Sequence, residues 1–171
     1  MNLKLKILNV KDVSEKYVLW NIDIDVVKFS NNQYRKFSLD GQREYVASCL
    51  ESSDKDLYGI FDDNFHIGNI VINGLKLPHK NAEITYVIGE KSYWNKGVAT
   101  FAISEIVKFA TIEYKLHKLF ASLAENNTGS KRALEKNNFV LEGKRKEHLF
   151  FNGKFFNQLD YGLLLPKKYK N

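Results

Sequence analysis

A run of small and basic residues in the middle of the chain has the composition of a phosphate-binding turn. In "YWNKGVAT", residues 93–100, Gly97 and Ala99 are small and Lys96 is positively charged. The run follows the apolar segment "ITYVIG" and opens a segment with helical periodicity. Since a helix N-terminus has unpaired N–H groups and a positive dipole, small residues there let a phosphate approach the backbone. The same residues also suit a plain strand-to-helix turn, so the run alone leaves both interpretations open.

A second stretch further along the chain places polar residues at a predicted helix start. It reads "NTGSKRALEKNNF", residues 127–139, with Asn127 and Ser130 at its beginning. Both side chains are of types that cap helix N-termini, so each has a purely structural interpretation. Asn138, near the end of the stretch, suits a left-handed C-terminal cap.

These two stretches resemble the motifs of the GNAT superfamily of acetyl-CoA-dependent N-acetyltransferases, and within it the RimJ/RimL-like branch. The pyrophosphate loop of that family reads Gln/Arg-x-x-Gly-x-Gly/Ala, and "WNKGVA" matches it except that Trp94 stands in the first place. The second family motif is Asn-x-x-Ser followed by Glu-Lys-x-Gly-Phe, and here Asn138 replaces the glycine. The likeness runs from the first strand to about Leu165 and is strongest over residues 82–139.

The resemblance implies that acetyl-CoA, as co-substrate, binds where two parallel strands of the sheet separate. The backbone of Val87 and Ile88 would pair with the pantetheine arm, and an N–H group there would stabilise the oxyanion of the reaction. The pyrophosphate would be held by the turn residues Asn95, Lys96, Gly97, Val98, Ala99 and Thr100. Asn127 would also contact the cofactor, or would only cap its helix.

The chemistry implied is direct attack of a primary amine on the thioester, with no metal and no acetylated enzyme residue. Because most amines are protonated at neutral pH, a base must remove a proton. Glu83, which begins the strand "AEITY", is the candidate base, or else a solvent-facing carboxylate. Ser130 is the candidate proton donor to the departing thiolate, or else a helix cap, since Leu134 stands where many family members have Tyr. The histidines are alternative bases, each more typical of a surface or structural position: His66, His79, His117 and His148.

The acceptor is predicted only as a class, a small-molecule amine or a peptide N-terminus. The segments "YGIFDDNFHIGNI" and "LHKLFASLAENNTGS" resemble branch members that acetylate nucleotide-linked amino sugars, so such a sugar is the first candidate. Protein N-termini, as in ribosomal-protein acetyltransferases, and polyamines are alternatives. A GNAT-like protein that binds acyl-CoA without catalysis is a further alternative, in keeping with Leu134.

Hydrophobic periodicity predicts the elements that position these residues. "SLDGQREYVASCLE" reads as a capped helix, and apolar residues at 99, 102, 103, 106, 107 and 110 indicate an amphipathic helix. Residues 21–38 have a mixed pattern typical of a surface loop, and "KLFASLA" indicates a strand buried on both faces. The order β-α-α-β-β-β-α-β-α-β-β predicts an α+β fold. We expect a mixed, mostly antiparallel seven-stranded sheet with about four helices and, from the resemblance, a splayed parallel strand pair.

Composition narrows the classes of partner. At 171 residues with 44% hydrophobic residues, the chain suits a single domain over residues 1–171. The net charge of +6 favours anionic partners, but it is dense only in "EGKRKEH" and "PKKYKN", and no nucleic-acid-binding motif is present. No apolar run approaches the roughly 20 residues of a membrane span. With a single cysteine, Cys49, which is predicted to be a buried core thiol, the chain is expected to be cytoplasmic. Aromatic residues in the last hairpin suit core or dimer packing, which leaves a homodimer open.

Overall fold

The computed structural model describes residues 1–166, so residues 167–171 of the predicted domain, and with them nearly all of "PKKYKN", lie outside the described residues. The strands are β1 Leu3–Ile7, β2 Lys55–Asp62, β3 Phe65–Asn73, β4 Asn81–Ile88, β5 Lys118–Ala124, β6 Val140–Phe151 and β7 Lys154–Leu164. The α-helices are α1 Glu15–Ile22, α2 Ile24–Val27, α3 Leu39–Glu51, α4 Val98–Ile112 and α5 Thr128–Glu135. Within residues 1–166, no helix is long and apolar enough to cross a membrane.

The strands form one mixed sheet in the order β1-β2-β3-β4-β5-β7-β6. Every neighbouring pair is antiparallel except β4 and β5, which run parallel because the chain crosses over through α4 between them. The predicted mostly antiparallel sheet of seven strands with one parallel pair is therefore confirmed.

Helices cover both faces of this sheet. On one face α4 and α5 pack against the main core, and Ala102, Ile103 and Ile106 of α4 are fully buried there, which confirms the predicted amphipathic spacing. On the other face α1 and α3 enclose a second core. Cys49 of α3 is only 3% exposed in that second core, so the predicted buried thiol is confirmed.

The structure corrects the prediction of a surface loop over residues 21–38. That segment contains α2 and a 3-10 turn at Asn31–Tyr34. Each begins at a capping side chain: Asp23 accepts a backbone N–H at 3.0 Å and Ser30 accepts one at 3.1 Å. Both turns are too short to show a full hydrophobic period, so the pattern gave no signal for them.

The structure also corrects the prediction that β5 is buried on both faces. Leu119 is fully buried, but Phe120 is half-buried and Ser122 is exposed, where its hydroxyl donates to Asp160 at 2.8 Å. The core on that face is built on β2 and β3, through residues such as Leu57, so it leaves this side of β5 open. A nearly continuous apolar run therefore does not require two buried faces.

Candidate active site

The parallel strands β4 and β5 separate soon after they meet. They pair over three positions, from Asn81 opposite Lys118 to Glu83 opposite Phe120. Beyond that point β4 continues to Ile88 and β5 to Ala124 without pairing to each other. The predicted splayed pair is confirmed, and the gap lies at the carboxyl ends of the strands, where ligands of α/β sheets commonly bind.

Hydrogen bonds at the two ends of β4 show which of its backbone groups face the gap. The carbonyl of Lys80, just before β4, accepts from the backbone N–H of His117 at 2.6 Å, on the β5 side. Just after β4, the N–H of Gly89 donates to the carbonyl of Ile67 at 3.0 Å, on the β3 side. Backbone groups alternate in direction along a strand. Both bonds therefore agree that even-numbered residues of β4 point toward β5 and odd-numbered residues toward β3.

By this alternation the backbone groups of Tyr86 and Ile88 point into the gap, and those of Val87 point toward β3. The Ile88 carbonyl already has a partner, since the indole N–H of Trp94 donates to it at 2.8 Å. Apart from that carbonyl, the backbone groups near the end of β4 that face the gap are the N–H of Ile88 and both groups of Tyr86. Sequence reasoning missed Tyr86, because strand direction is set by partners distant in the chain.

The turn between β4 and α4 forms an open helix N-terminus. Gly97 is the N-cap of α4 with φ of 81°, and Asn95 is also left-handed with φ of 60°. The other four described α-helices begin at a capping side chain, but α4 has none. A Cβ added at Gly97 would meet no protein atom within 4 Å. The uncapped N–H groups and the open space beside them fit an anionic phosphate group.

A cavity of about 580 Å³, called here the first cavity, joins this turn to the gap. Every site residue predicted from the sequence lines it except Glu83 and Lys96. Lys96 lies beside the cavity with its Nζ 5.8 Å from the ring centroid of Tyr93. Glu83 is half-buried at the closed end of the gap, at the last paired position of β4. Burial raises the pKa of the Glu83 carboxyl above its usual value.

The first cavity has a positive lining that sequence reasoning did not identify. Lys28, Arg132 and Lys136 line it, and none forms a salt bridge with a residue in the described part of the chain. Arg132 and Lys136 are four residues apart around α5, so they share one side of that helix. The one carboxylate among the described lining residues is Asp25, which is paired with Lys91 at 3.1 Å. The lining is thus suited to a polyanion.

The N-terminus of α5 brings Asn127 and Ser130 to the opposite wall. Asn127 is the N-cap, and its Oδ1 accepts the backbone N–H of Ser130 at 3.2 Å. The capping interpretation of Asn127 is therefore correct, and both residues also line the first cavity. The hydroxyl of Tyr86 donates across the gap to the carbonyl of Ser130 at 3.3 Å. Burial raises the pKa of Tyr86 to about 12, so its hydroxyl stays protonated as a donor.

Residues 2–140 match the model of the acetyltransferase (GNAT) domain family. The chain therefore belongs to the GNAT acetyltransferase family, whose members transfer an acetyl group from acetyl-CoA, and it is an N-acetyltransferase that uses acetyl-CoA. The family predicted from the two sequence motifs is confirmed.

Among curated proteins, the chain is 31% identical to the probable N-acetyltransferase YjcK of Bacillus subtilis, over 76% of this chain and 75% of that protein. Two of the solved structures that share the fold contain bound CoA. One is RimL, the ribosomal L7/L12 N-terminal acetyltransferase in complex with CoA, with a TM-score of 0.85, 18% identity, and coverage of 96% of this chain and 95% of that one. The other is the spermidine N-acetyltransferase of Vibrio cholerae in complex with CoA and spermine, with a TM-score of 0.84, 20% identity, and 95% of each chain covered.

Proposed function

We propose that this acetyltransferase acts on the primary amine of a small molecule, with a nucleotide-linked amino sugar as the first candidate acceptor. The amine attacks directly while both substrates are bound. The observation that carries this proposal is the gap between β4 and β5, which opens onto cavities on both faces of the sheet. Tyr86 and Val87 line both of these cavities, so a donor on one side and an acceptor on the other can meet there.

The donor side is proposed to hold acetyl-CoA through backbone groups and surrounding cations. The N–H groups at the start of α4, from Val98 to Thr100, would bind the pyrophosphate. Lys28, Arg132 and Lys136 would balance the remaining phosphate charge. The N–H of Ile88 would bind the pantetheine arm or the developing oxyanion, because it faces the gap while its carbonyl is held by Trp94.

Acetyl-CoA supplies an acyl group activated as a thioester. The acceptor amine nitrogen forms a bond to the acyl carbon as the C–S bond breaks, and the amine proton leaves to a base. We propose that Glu83 is this base and acts through water, since it lies at the closed end of the gap and outside the cavity lining. Its raised pKa brings the carboxyl closer to the range in which a base is effective.

The leaving thiolate is proposed to receive its proton at the N-terminus of α5. Ser130 lines the cavity there, and the positive end of the helix favours a negative sulfur nearby. Tyr86 is a second hydroxyl at the same point. With these two groups present, Leu134, which is buried in the core, does not leave the site without a donor.

Two other acceptor classes are supported by relatives with this fold, protein N-termini by RimL and polyamines by the spermidine acetyltransferase. The experiment is a CoA-release assay with a UDP-linked amino sugar, spermidine, and peptides that begin with Ala or Ser. We expect turnover with the amino sugar. Absence of turnover with every acceptor, while acetyl-CoA binding is retained, would overturn the proposed function.

A further inference from the structure

A second cavity, also of about 580 Å³, lies on the opposite face of β4 from α4. Its floor is made by β3 and β4, including Asn69 and Thr85, and its walls by α3 and the segment before it. It shares five lining residues with the first cavity: Tyr86 and Val87 at the gap, and Asn21, Ser30 and Asn32 beside it. An acceptor in this second cavity would therefore present its amine at the gap.

One buried polar group at the floor of the second cavity has no partner. Asn69 is 4% exposed, and its Oδ1 is 2.8 Å from Nε2 of His66. The Nδ2 of Asn69 makes no hydrogen bond to any described residue. A buried amide without a partner is costly and uncommon, so an unused donor at a cavity wall indicates a ligand that accepts from it.

His66 fixes the orientation of this amide. Its ring lies between those of Trp20 and Phe61, with centroid distances of 4.9 Å to each. Burial in this aromatic setting lowers the pKa of His66, so the ring is neutral near pH 7. In the neutral tautomer that carries the proton on Nε2, His66 donates to Oδ1 of Asn69, so Nδ2 is the end of the amide left without a partner.

The rim of the second cavity is positively charged. Arg35 and Lys36 both line it and are exposed, and neither forms a salt bridge with any residue in the range 1–166. No carboxylate is found among the described residues of the lining. This charge distribution attracts an anionic group and repels a polycation.

We propose that the second cavity selects an acceptor amine that carries an anionic group, such as a phosphate, and a hydrogen-bond-accepting oxygen. Arg35 and Lys36 would bind the anionic group, and Asn69 would donate to the oxygen. A phosphorylated or nucleotide-linked amino sugar has both features, and spermidine has neither. The proposal rests on the proposed function, since it assigns the acceptor class of the same reaction.

The charge requirement is tested with glucosamine and glucosamine 6-phosphate, which offer the same amine with and without an anion, and with a UDP-linked amino sugar and spermidine. We expect kcat/KM to be at least about tenfold higher for an anionic acceptor than for glucosamine. Arg35→Glu combined with Lys36→Glu should remove that preference by raising KM for the anionic acceptors. The matched control, Lys4→Glu with Arg43→Glu, changes net charge equally at exposed positions outside both cavities and should keep the preference.

Calorimetric binding of the UDP-linked amino sugar to the CoA-saturated protein gives a readout that needs no turnover. Equal binding by the charge-reversed variant and its control, or a preference for spermidine over all anionic acceptors, would overturn the proposed acceptor class. Preference for spermidine would leave the proposed acetyl transfer to an amine intact. Absence of turnover with every acceptor would instead count against the proposed function, while the binding result would still decide the acceptor class.

Asn69 is tested separately. Asn69→Leu removes the donor at similar size and should raise KM for the anionic acceptor roughly tenfold, with acetyl-CoA affinity unchanged. Asn69→Ala, which removes the same donor with a smaller side chain, provides a second variant if the leucine destabilises the protein. Wild-type KM in a folded variant of either kind would exclude Asn69 from acceptor binding.

Discussion

The two cavities that meet at Tyr86 are built by different means. The first is shaped by backbone geometry, through a left-handed Gly97, an uncapped α4 and an unpaired stretch of β4, and side chains add only positive charge around it. The second relies on side chains, with Asn69 at its floor and the Arg35–Lys36 pair at its rim. A backbone site can keep its ligand while most side chains around it change, whereas a side-chain site changes its ligand with a few substitutions. We therefore propose the first cavity for acetyl-CoA, which GNAT acetyltransferases share, and the second for the acceptor.

If the two substrates occupy separate cavities, loss of the base should lower kcat and leave acetyl-CoA affinity unchanged. Glu83→Gln should lower kcat about 100-fold at neutral pH, the lower end of what a general base contributes. Because burial raises the pKa of Glu83 and only the ionised form is a base, wild-type activity should rise with pH through that raised pKa. The Gln variant should lose this rise in its pH–rate profile.

Stability and cofactor affinity serve as controls for this variant. Burial disfavours the charged form of Glu83, so the folded protein loses stability as pH rises through its pKa, and Gln removes that cost. Thermal unfolding should therefore show Glu83→Gln to be at least as stable as wild type at neutral pH. An unchanged pH–rate profile would reject Glu83 as the base. A large loss of acetyl-CoA affinity would contradict the proposal that the two substrates bind in separate cavities.

A valine at Gly97 should damage the backbone-built cavity. A side chain there adopts a left-handed conformation at a cost of roughly 1–2 kcal/mol and projects into the space where the phosphates are proposed to bind. We expect acetyl-CoA affinity to fall at least about tenfold, since charge-assisted hydrogen bonds to the phosphates are displaced. Calorimetric titration with acetyl-CoA measures this.

Gly153 provides a matched control for this strain. It has φ of 74° in the β6–β7 turn, and an added Cβ there also meets nothing within 4 Å. Gly153→Val should lose a similar amount of stability but no acetyl-CoA affinity, because Gly153 does not line the first cavity. Equal losses of affinity in both variants would mean that strain, and not contact with the ligand, explains the result at Gly97.

The same contrast explains what could be predicted from the sequence. The backbone-built cavity is marked by a local motif, because the left-handed conformation at Gly97 is required by the turn itself. The order of strands and helices was predictable for a similar reason, since the spacing of apolar residues within each segment indicates its secondary structure and its buried face. The second cavity left no such record. Asn69 and Arg35 come together only when β3 and the segment after α2 are assembled. The helical turns of that segment are too short to show a hydrophobic period.

Ser130→Ala tests the proposed proton donor in the wall of the first cavity. Loss of one hydroxyl that donates to a departing thiolate should lower the rate of the chemical step about fivefold, equivalent to about 1 kcal/mol. The backbone N–H that Asn127 caps remains, so helix stability and acetyl-CoA affinity should be nearly unchanged. Single-turnover kinetics measures the step, and a wild-type rate would exclude the Ser130 hydroxyl as the proton donor.

The smallest effect is expected at Trp94, which joins the turn before α4 to β4. Trp94→Phe removes the indole donor and leaves the Ile88 carbonyl without it, at a cost of about 1 kcal/mol in stability. Because the turn loses this link to the strand, acetyl-CoA affinity should fall about threefold, a change of less than 1 kcal/mol. Chemical denaturation and titration measure the two effects.

Trp20→Phe is the matched control for this substitution. The Trp20 indole N–H donates to Glu90 at 2.9 Å on the side of the second cavity, so its loss should also cost stability. Acetyl-CoA affinity should not change, because Trp20 does not line the first cavity. If both variants weaken acetyl-CoA equally, the turn is positioned by the packing of the whole sheet edge and not by the Trp94 hydrogen bond. If only Trp94→Phe weakens acetyl-CoA binding, the hydrogen bond from Trp94 to Ile88 positions the turn. The first cavity then depends on one side chain, at the position where the family motif has Gln or Arg.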